Sequence, residues 1–354
     1  MEINSERLIK FLISILEIHS PSGQESACAE FLQKHFSHHD SHIDTAGNVV
    51  IKIPGTGEPI LLVAHMDVVD PSDEIDVEVT EGNIRNKKPY VLGIDNKSTI
   101  ACIAEAVEIL KESNTRHRPI EIAFTTKEET TGEGAEGLDY KNIFAKEGII
   151  VDAALPIGGI ITESPFYGNL DITFSGPIHH TKNISENEQT AWKTMSEIIS
   201  VLPQGKAGEK TNINWSRIDG GTGRNTVTGE FMVHGEIRSF NKEEYDSIVL
   251  KIKEIAQKNS EHIIFTHEFL NIGYEIKQDN PFLKSIVNSL KNNGVREINF
   301  IKDYGLSDVN VIINHGINII NICSGAEHTH TKDETISVKN LELMTRIILD
   351  ICTK

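Results

Sequence analysis

Residues 61–67 read LLVAHMD, and the rest of the chain is organised around them. The stretch opens as a continuous apolar run, the pattern of a strand buried on both faces. It closes on His65 and Asp67, where such a strand gives way to a loop. On an extended backbone alternate side chains share a face, so these two lean the same way. An imidazole followed by a carboxylate suits a metal ligand and the group that orients it. A satisfied strand-end histidine reads the same way, so the rest of the chain has to decide.

Upstream, residues 5–18 and 24–36 read as amphipathic helices broken by Pro21-Ser22-Gly23. Residues 48–53 and 60–64 read as strands, and Pro54-Gly55-Thr56-Gly57 between them predicts a hairpin. The polar run 71–88 holds a short strand pair near 75–79 and 83–86. YVLGIDNK at 90–97 leads into a helix over 98–111, and 120–125 is an apolar strand running into Lys127-Glu128-Glu129-Thr130. Another apolar strand, 148–153, carries Asp152 among uncharged neighbours. Helices alternating with apolar strands predict an α/β sheet covered by helices.

Near residue 167 the texture changes. A half-buried strand at 169–174 precedes a helix at 186–202, strands at 211–218 and 229–237, a helix at 242–258 and a strand at 262–269. This β-α-β-β-α-β order is the open-faced ferredoxin-like pattern, and it predicts an inserted domain over 167–278. The first texture then returns with a helix at 281–292, an apolar segment at 309–322 and a last helix at 338–351. Residues 1–166 and 279–354 would therefore form one discontinuous domain.

A net charge of −18 argues against nucleic acid and anionic membrane surfaces, both of which need a basic footprint. No apolar run reaches the roughly 20 residues that span a bilayer, and the first residues read as a helix, not a signal peptide. Cys28, Cys102, Cys323 and Cys352 are scattered, as expected of reduced thiols in a cytoplasmic protein.

Imidazole or acidic groups recur at strand ends: His65, Asp95, Glu128 with Glu129, and Asp152, followed by the late segment GAEHTHTKDE at 325–334. Groups beyond the carboxyl ends of strands in open α/β sheets converge on one crevice. Oxygen and imidazole ligands hold divalent ions without cysteine. A two-ion site is helped by a bridging carboxylate, for which Asp95 is suitably placed, and needs a separate base for water, a task Glu128 and Glu129 can divide. Taken singly, Asp95 is equally a helix cap and Glu128–Glu129 a solvated pair. Asp152 is harder to dismiss, because an unpaired carboxylate in a buried strand is costly.

The order and wording of HMDVV (65–69), LGIDNK (92–97), TTKEETTGEGAEGL (125–138), VDA (151–153) and HTKDE (330–334) resemble the di-zinc peptidase superfamily of peptidase T, carboxypeptidase G2 and aminoacylase. The wording is nearest to the peptidase T-like aminopeptidases, and the resemblance covers essentially the whole chain. It implies a mixed-sheet catalytic domain with an inserted lid and dimerisation domain. It also implies two divalent ions, zinc first, with cobalt or manganese as alternatives. By position, His65 and Asp152 would hold one ion, Glu129 and His330 the other, and Asp95 would bridge. Asp67 would orient His65, and Glu128 would be the general base and acid. His328 competes for the last ligand, but the family's ligand histidine stands four residues before a glutamate, here Glu334.

In the inserted domain the resemblance assigns His180, with His179 as rival, to the tetrahedral intermediate. It assigns Asn225 and Arg238 to substrate contact. Two departures stand out: Thr181-Lys182-Asn183 follow the lid histidine in place of a small residue and glycine, and Asn96 replaces a frequent second aspartate. The glutamyl-type di-metal aminopeptidases share the ligand order, but they carry their extra domain between the first histidine and the bridging aspartate. Here the extra segment follows Asp152. The activity implied is amide hydrolysis in small peptides by a cytoplasmic homodimer. An N-acyl amino acid deacylase or carboxypeptidase with the same site is the alternative, and a non-catalytic scaffold relative is the rival of another class.

Overall fold

The computed structural model describes residues 2–69, 72, 74–130, 132–257 and 262–354. The chain divides into two compact units, Met1–Thr162 with Ile276–Lys354, and Glu163–Glu275. The sequence reading puts its divisions at 166/167 and 278/279. Position 258, the expected end of a helix, lies outside the described residues, as do parts of the polar run at 71–88 and of the motif at 125–138.

The first unit is built on a mixed sheet. Its strands run Asp40–Ile43, Val49–Ile53, Ile120–Thr125, Ile60–His65, Glu147–Ala153, Asn318–Cys323 and Gly159–Ser164 in spatial order. The four from Ile120–Thr125 to Asn318–Cys323 are mutually parallel. Three of them are the apolar strands read from the sequence; the fourth comes from the apolar segment at 309–322, whose start is the short helix Val309–Ile312 instead. Every residue of Ile60–His65 and Ile120–Thr125 is buried. Helix Ile94–Ser113 packs on Ile60–His65 and Glu147–Ala153 and against helices Ser5–Leu16 and Val338–Cys352. Leu8, Leu12, Ile15 and Leu16 form the buried stripe of the first helix, and the Asn4 side chain caps it by accepting from the Arg7 N–H at 3.0 Å. That helix stops two residues short of the expected 18, before Pro21, which disfavours helix in the residue it follows. Among the described residues no helix is long and apolar enough to cross a membrane.

The predicted hairpin at 54–57 does not form. Val49–Ile53 and Ile60–His65 are separated by Ile120–Thr125, which pairs antiparallel with the first and parallel with the second. The connecting loop wraps the start of that intervening strand: the Thr56 N–H donates to the His117 carbonyl at 2.8 Å. Gly55 lies so close to the Arg118 backbone that a Cβ would come within 2.4 Å of it. The turn residues serve instead to pass the start of Ile120–Thr125, a strand that comes later in the chain.

In the second unit an antiparallel sheet runs Gly205–Lys206, Thr211–Gly220, Glu230–Ser239, Phe166–Ser175, Ile263–Asn271. The four long strands have the ferredoxin-like order. Helices Ala191–Ile199 and Lys242–Gln257 cover one face over a core of Leu170, Ile172, Phe174, Ile237, Tyr245 and Ile252. The first of these helices begins at 191, not 186, because Thr190 is its N-cap, its hydroxyl accepting from Lys193 N–H. Glu188 is spent on His179 instead.

Candidate active site

The parallel strands end together, and their carboxyl ends deliver the predicted residues to one place. His65 closes its strand and is 3% exposed, beside Thr125 in the adjacent strand. Three and four residues beyond Thr125 stand Glu128 and Glu129. Asp152 is the penultimate residue of Glu147–Ala153, and its N–H and that of Ala153 donate to Asn321 Oδ1 at 3.2 and 3.3 Å from the neighbouring strand.

His65 Nδ1 faces the Asp67 backbone carbonyl at 3.0 Å, which turns Nε2 inward, 3.3 Å from Asp95 and 3.3 Å from Asp152. His330 Nε2 sits 2.9 Å from Glu129 and 3.5 Å from Asp95. Two ligand triads result, His65–Asp95–Asp152 and Asp95–Glu129–His330, with the donor atoms of each within 4.8 Å of one another. Asp95 belongs to both. The combination His65–Glu128–Glu129 meets the same limit, so Glu128 also lies at the cluster. His328, although only two residues from His330, is in none of these groups.

Electrostatics describe a site built for cations. Burial pushes the carboxyls of Glu128, Glu129 and Asp152 up, reinforced at Glu128 by the Asp152 charge. Burial opposes ionisation of Asp95 too, but His330 and His65 outweigh it and hold Asp95 low. Burial pulls His65 down, yet Asp152, Asp67 and Asp95 raise it overall. His330 is raised to about 10 by Asp95 and Glu129. Asp95 Oδ1 is buried with no hydrogen-bond partner, its neighbour His65 Nε2 lying 3.3 Å away, and a buried carboxylate oxygen without a hydrogen bond is expensive unless it meets a cation. Lys97, fully buried two residues on, does not supply the cation, because its ammonium donates to the Ile18 carbonyl at 2.6 Å. Four carboxylates and two imidazoles with no thiolate are a fitting donor set for a pair of divalent ions.

Around the ligands stand Asp67 and Asn96, both named from the sequence, and Ser22, Glu334 and Asp308, which the sequence did not assign to the site. Asp67 accepts from Ser22 Oγ at 2.6 Å and from the Glu128 and Glu129 N–H groups at 3.1 Å each. Glu334, read in the sequence only as a spacing marker, accepts from the backbone N–H groups of Leu92, Gly93 and Asp95 at 3.0, 2.6 and 3.2 Å. Asn96 donates to Asp152 Oδ1 at 2.5 Å and to the Val151 carbonyl at 2.8 Å. An ionised aspartate cannot donate, so the departure at 96 places a donor where an acid would repel. Asp308 is buried, accepts from Thr125 Oγ1 at 2.5 Å, and is raised to about 7 by burial. In the sequence it reads as an ordinary cap ahead of an apolar run, and nothing there separates it from one.

In the second unit, His179 is locked between Glu188 (2.5 Å) and the His180 carbonyl (3.1 Å). His180 accepts from the Lys182 N–H through Nδ1 at 3.2 Å and is exposed. The short strand His179–His180 pairs with Thr226 and Val227, which brings Asn225 beside it: the Asn225 carbonyl accepts from Thr181 N–H at 2.9 Å. Arg238 is gripped by Glu236 through Nε and Nη2 at 3.1 and 3.0 Å, over the Tyr167 ring.

Comparison with known proteins gives a consistent placement. The model of peptidase family M20/M25/M40 matches residues 61–354. YqjE of Bacillus subtilis, an uncharacterized protein, is 30% identical over 263 residues, 71% of this chain and 71% of its own length. Among solved structures, aminopeptidase PepT from Bacillus cereus has a TM-score of 0.90 at 27% identity, covering 99% of this chain and 98% of that one. A tripeptidase from Staphylococcus aureus has a TM-score of 0.92 at 26% identity, with the same coverage of 99% and 98%. This chain belongs to peptidase family M20/M25/M40, and it is a metallopeptidase.

Proposed function

We propose that the protein is an aminopeptidase of tripeptide-sized substrates that works with two divalent ions. The observation that carries this reading is the pair of ligand triads sharing Asp95. His65 and Asp152 would hold one ion and Glu129 and His330 the other. The oxygen and imidazole donors suit zinc, with cobalt or manganese also compatible. Ions held there would lower the pKa of a water and polarise the scissile carbonyl. Glu128, the carboxylate at the cluster that neither of those two triads uses, takes the proton of the attacking water and hands it to the departing amine. Water oxygen bonds to the carbonyl carbon, the C–N bond breaks, and the amine leaves protonated. Asp67 keeps the Glu128–Glu129 turn in register through two backbone N–H groups.

For the second unit the proposal rests on the sequence resemblance. His180 shares the oxyanion's charge, Asn225 contacts substrate as an amide, and Arg238 holds a substrate carboxylate or carbonyl. His180 is preferred to His179 because the latter has both ring nitrogens engaged. That unit would be the lid and dimerisation domain of a cytoplasmic homodimer.

The test is hydrolysis of free-amino tripeptides, dipeptides and N-acyl amino acids with added zinc, cobalt or manganese, with Glu128→Ala as control. Tripeptide cleavage that vanishes in Glu128→Ala supports the reading. Cleavage confined to N-acyl substrates moves the protein to deacylases with the same site, and a protein that neither retains ions nor cleaves anything refutes it.

A further inference from the structure

The turn that carries Glu128 and Glu129 is held by side chains from elsewhere in the first unit. Four successive N–H groups follow the strand Ile120–Thr125, and each donates to a side-chain oxygen. The Thr126 N–H donates to Asn48 Oδ1 at 3.1 Å and the Lys127 N–H to Glu25 Oε1 at 3.0 Å. The Glu128 and Glu129 N–H groups donate to the two oxygens of Asp67. Lys127 is the strained member. Its φ of 54° lies in the left-handed region, which is unfavourable for any residue with a Cβ. Its ammonium reaches away to Glu133 in an exposed pair and does not account for that conformation. Glu25, by contrast, is buried. It stands at the N-cap of helix Ser26–His35, yet its carboxylate makes no capping bond to that helix. Its Oε1 instead receives the Gly23 N–H, at 2.8 Å, together with the Lys127 N–H. Ser22, in the same short segment, donates to Asp67 at 2.6 Å, so both carboxylates that receive the turn are fixed from one place.

Resting on the peptidase reading above, we infer that Glu25 is a positioning residue for Glu128: by holding Lys127 in its left-handed conformation, it sets the direction in which the Glu128 carboxylate meets the ligand cluster. Both bonds that Glu25 accepts come from main chain, so its influence on Glu128 runs through the backbone. Relaxing Lys127 to the ordinary right-handed region would swing the next side chain away. A base misplaced by about 1 Å loses on the order of a hundredfold in rate.

The experiment compares the ion-loaded full-length protein with Glu25→Gln, Glu25→Ala and the double variant Glu25→Ala/Lys127→Gly on a free-amino tripeptide. Backbone hydrogen exchange of each is followed by mass spectrometry. Glu25→Ala should lower kcat about 10- to 100-fold, with KM within about twofold and the ion content unchanged. Glu25→Gln keeps an accepting oxygen and should stay within about threefold of the wild type. Glycine adopts positive φ without a Cβ penalty, so adding Lys127→Gly to Glu25→Ala should raise kcat again by at least about threefold. Peptides covering 126–129 should exchange about tenfold faster in Glu25→Ala, and those covering the last helix, Val338–Cys352, at the wild-type rate. If alanine costs the fold, Glu25→Asp carries the test, since it keeps the charge but withdraws the oxygen by one methylene; it should show the same local exchange and a kcat at least about threefold lower. A change in KM with kcat intact, equal effects of glutamine and alanine, no return of kcat with Lys127→Gly, or unchanged exchange at 126–129 overturns the inference and leaves the peptidase reading standing. A wild type that cleaves nothing overturns the peptidase reading, and the exchange rates then decide alone whether Glu25 holds the turn.

Discussion

His65 Nδ1 lies 3.0 Å from the backbone carbonyl of Asp67, nearer than the 3.5 Å to that residue's carboxylate. A carbonyl only accepts, so the ring proton sits on Nδ1 and the tautomer that presents Nε2 to the cluster is fixed by main chain. The Asp67 carboxylate is thereby left for Ser22 and the Glu128–Glu129 turn. Asp67→Asn puts an amide donor against groups that are themselves donors. It should lower kcat about 10- to 100-fold while the protein still retains about two ions per chain by elemental analysis. Loss of ions in step with kcat would show instead that the carboxylate acts through His65.

Glu334 is 1% exposed and accepts from three backbone N–H groups in the turn that carries Asp95. Glu334→Ala strands those donors in the interior and should destabilise the protein by roughly 3–5 kcal/mol in urea unfolding. Glu334→Gln retains one acceptor oxygen and should fall in between. Equal stability of all three proteins would mean that water replaces the carboxylate and that the turn holds itself.

The strands that carry the site were legible in the sequence because each is short and largely apolar, and two of them are followed within two residues by a charged one, as with LLVAH before Asp67 and IEIAFT before Lys127-Glu128. Periodicity also gave helix Pro281–Asn292 to the residue, since Asn280 and Pro281 are start signals with a local mechanism. What was illegible is non-local. Gly55 looks like a hairpin glycine, and only the Arg118 backbone beside it shows otherwise. Asp308 looks like an ordinary cap and Glu334 like a spacing marker, and their burial depends on partners 183 and about 240 residues away. A sequence carries no local trace of such pairings.

His35 and His39 supply an acid sensitivity remote from the ligands. The His35 ring lies 4.6 Å from that of Phe11 and 4.9 Å from that of Phe36, and Nε2 of each histidine is buried without a hydrogen-bond partner. Burial holds both below 6.5; His38 and Lys111 add to the lowering, and Glu108 opposes it. The unfolded chain takes up these protons near pH 6.5 and the folded chain only at lower pH. Their contribution is thus fully present above about pH 6.5 and is lost as pH falls from there toward the folded values. A plot of Tm against pH from 7.5 to 5 should be shallower for His35→Phe than for the wild type. Parallel plots would assign the acid sensitivity to other groups.

Glu236 and Arg238 stand two apart on one strand, so their side chains share a face, and the guanidinium is held through two nitrogens at 3.1 and 3.0 Å. Any substrate carboxylate that Arg238 binds must compete with this internal one. Both side chains are about a third exposed, and a pair so hydrated is worth at most about 1 kcal/mol. Glu236→Gln removes the competing charge and should lower KM for tripeptides by up to about fivefold. Arg238→Ala should raise KM for tripeptides with a free carboxylate more than for their C-terminal amides. The amide comparison is the discriminating one: a purely structural Arg238 would penalise both substrates alike, and a Glu236 that merely orients the guanidinium for substrate would raise KM when removed.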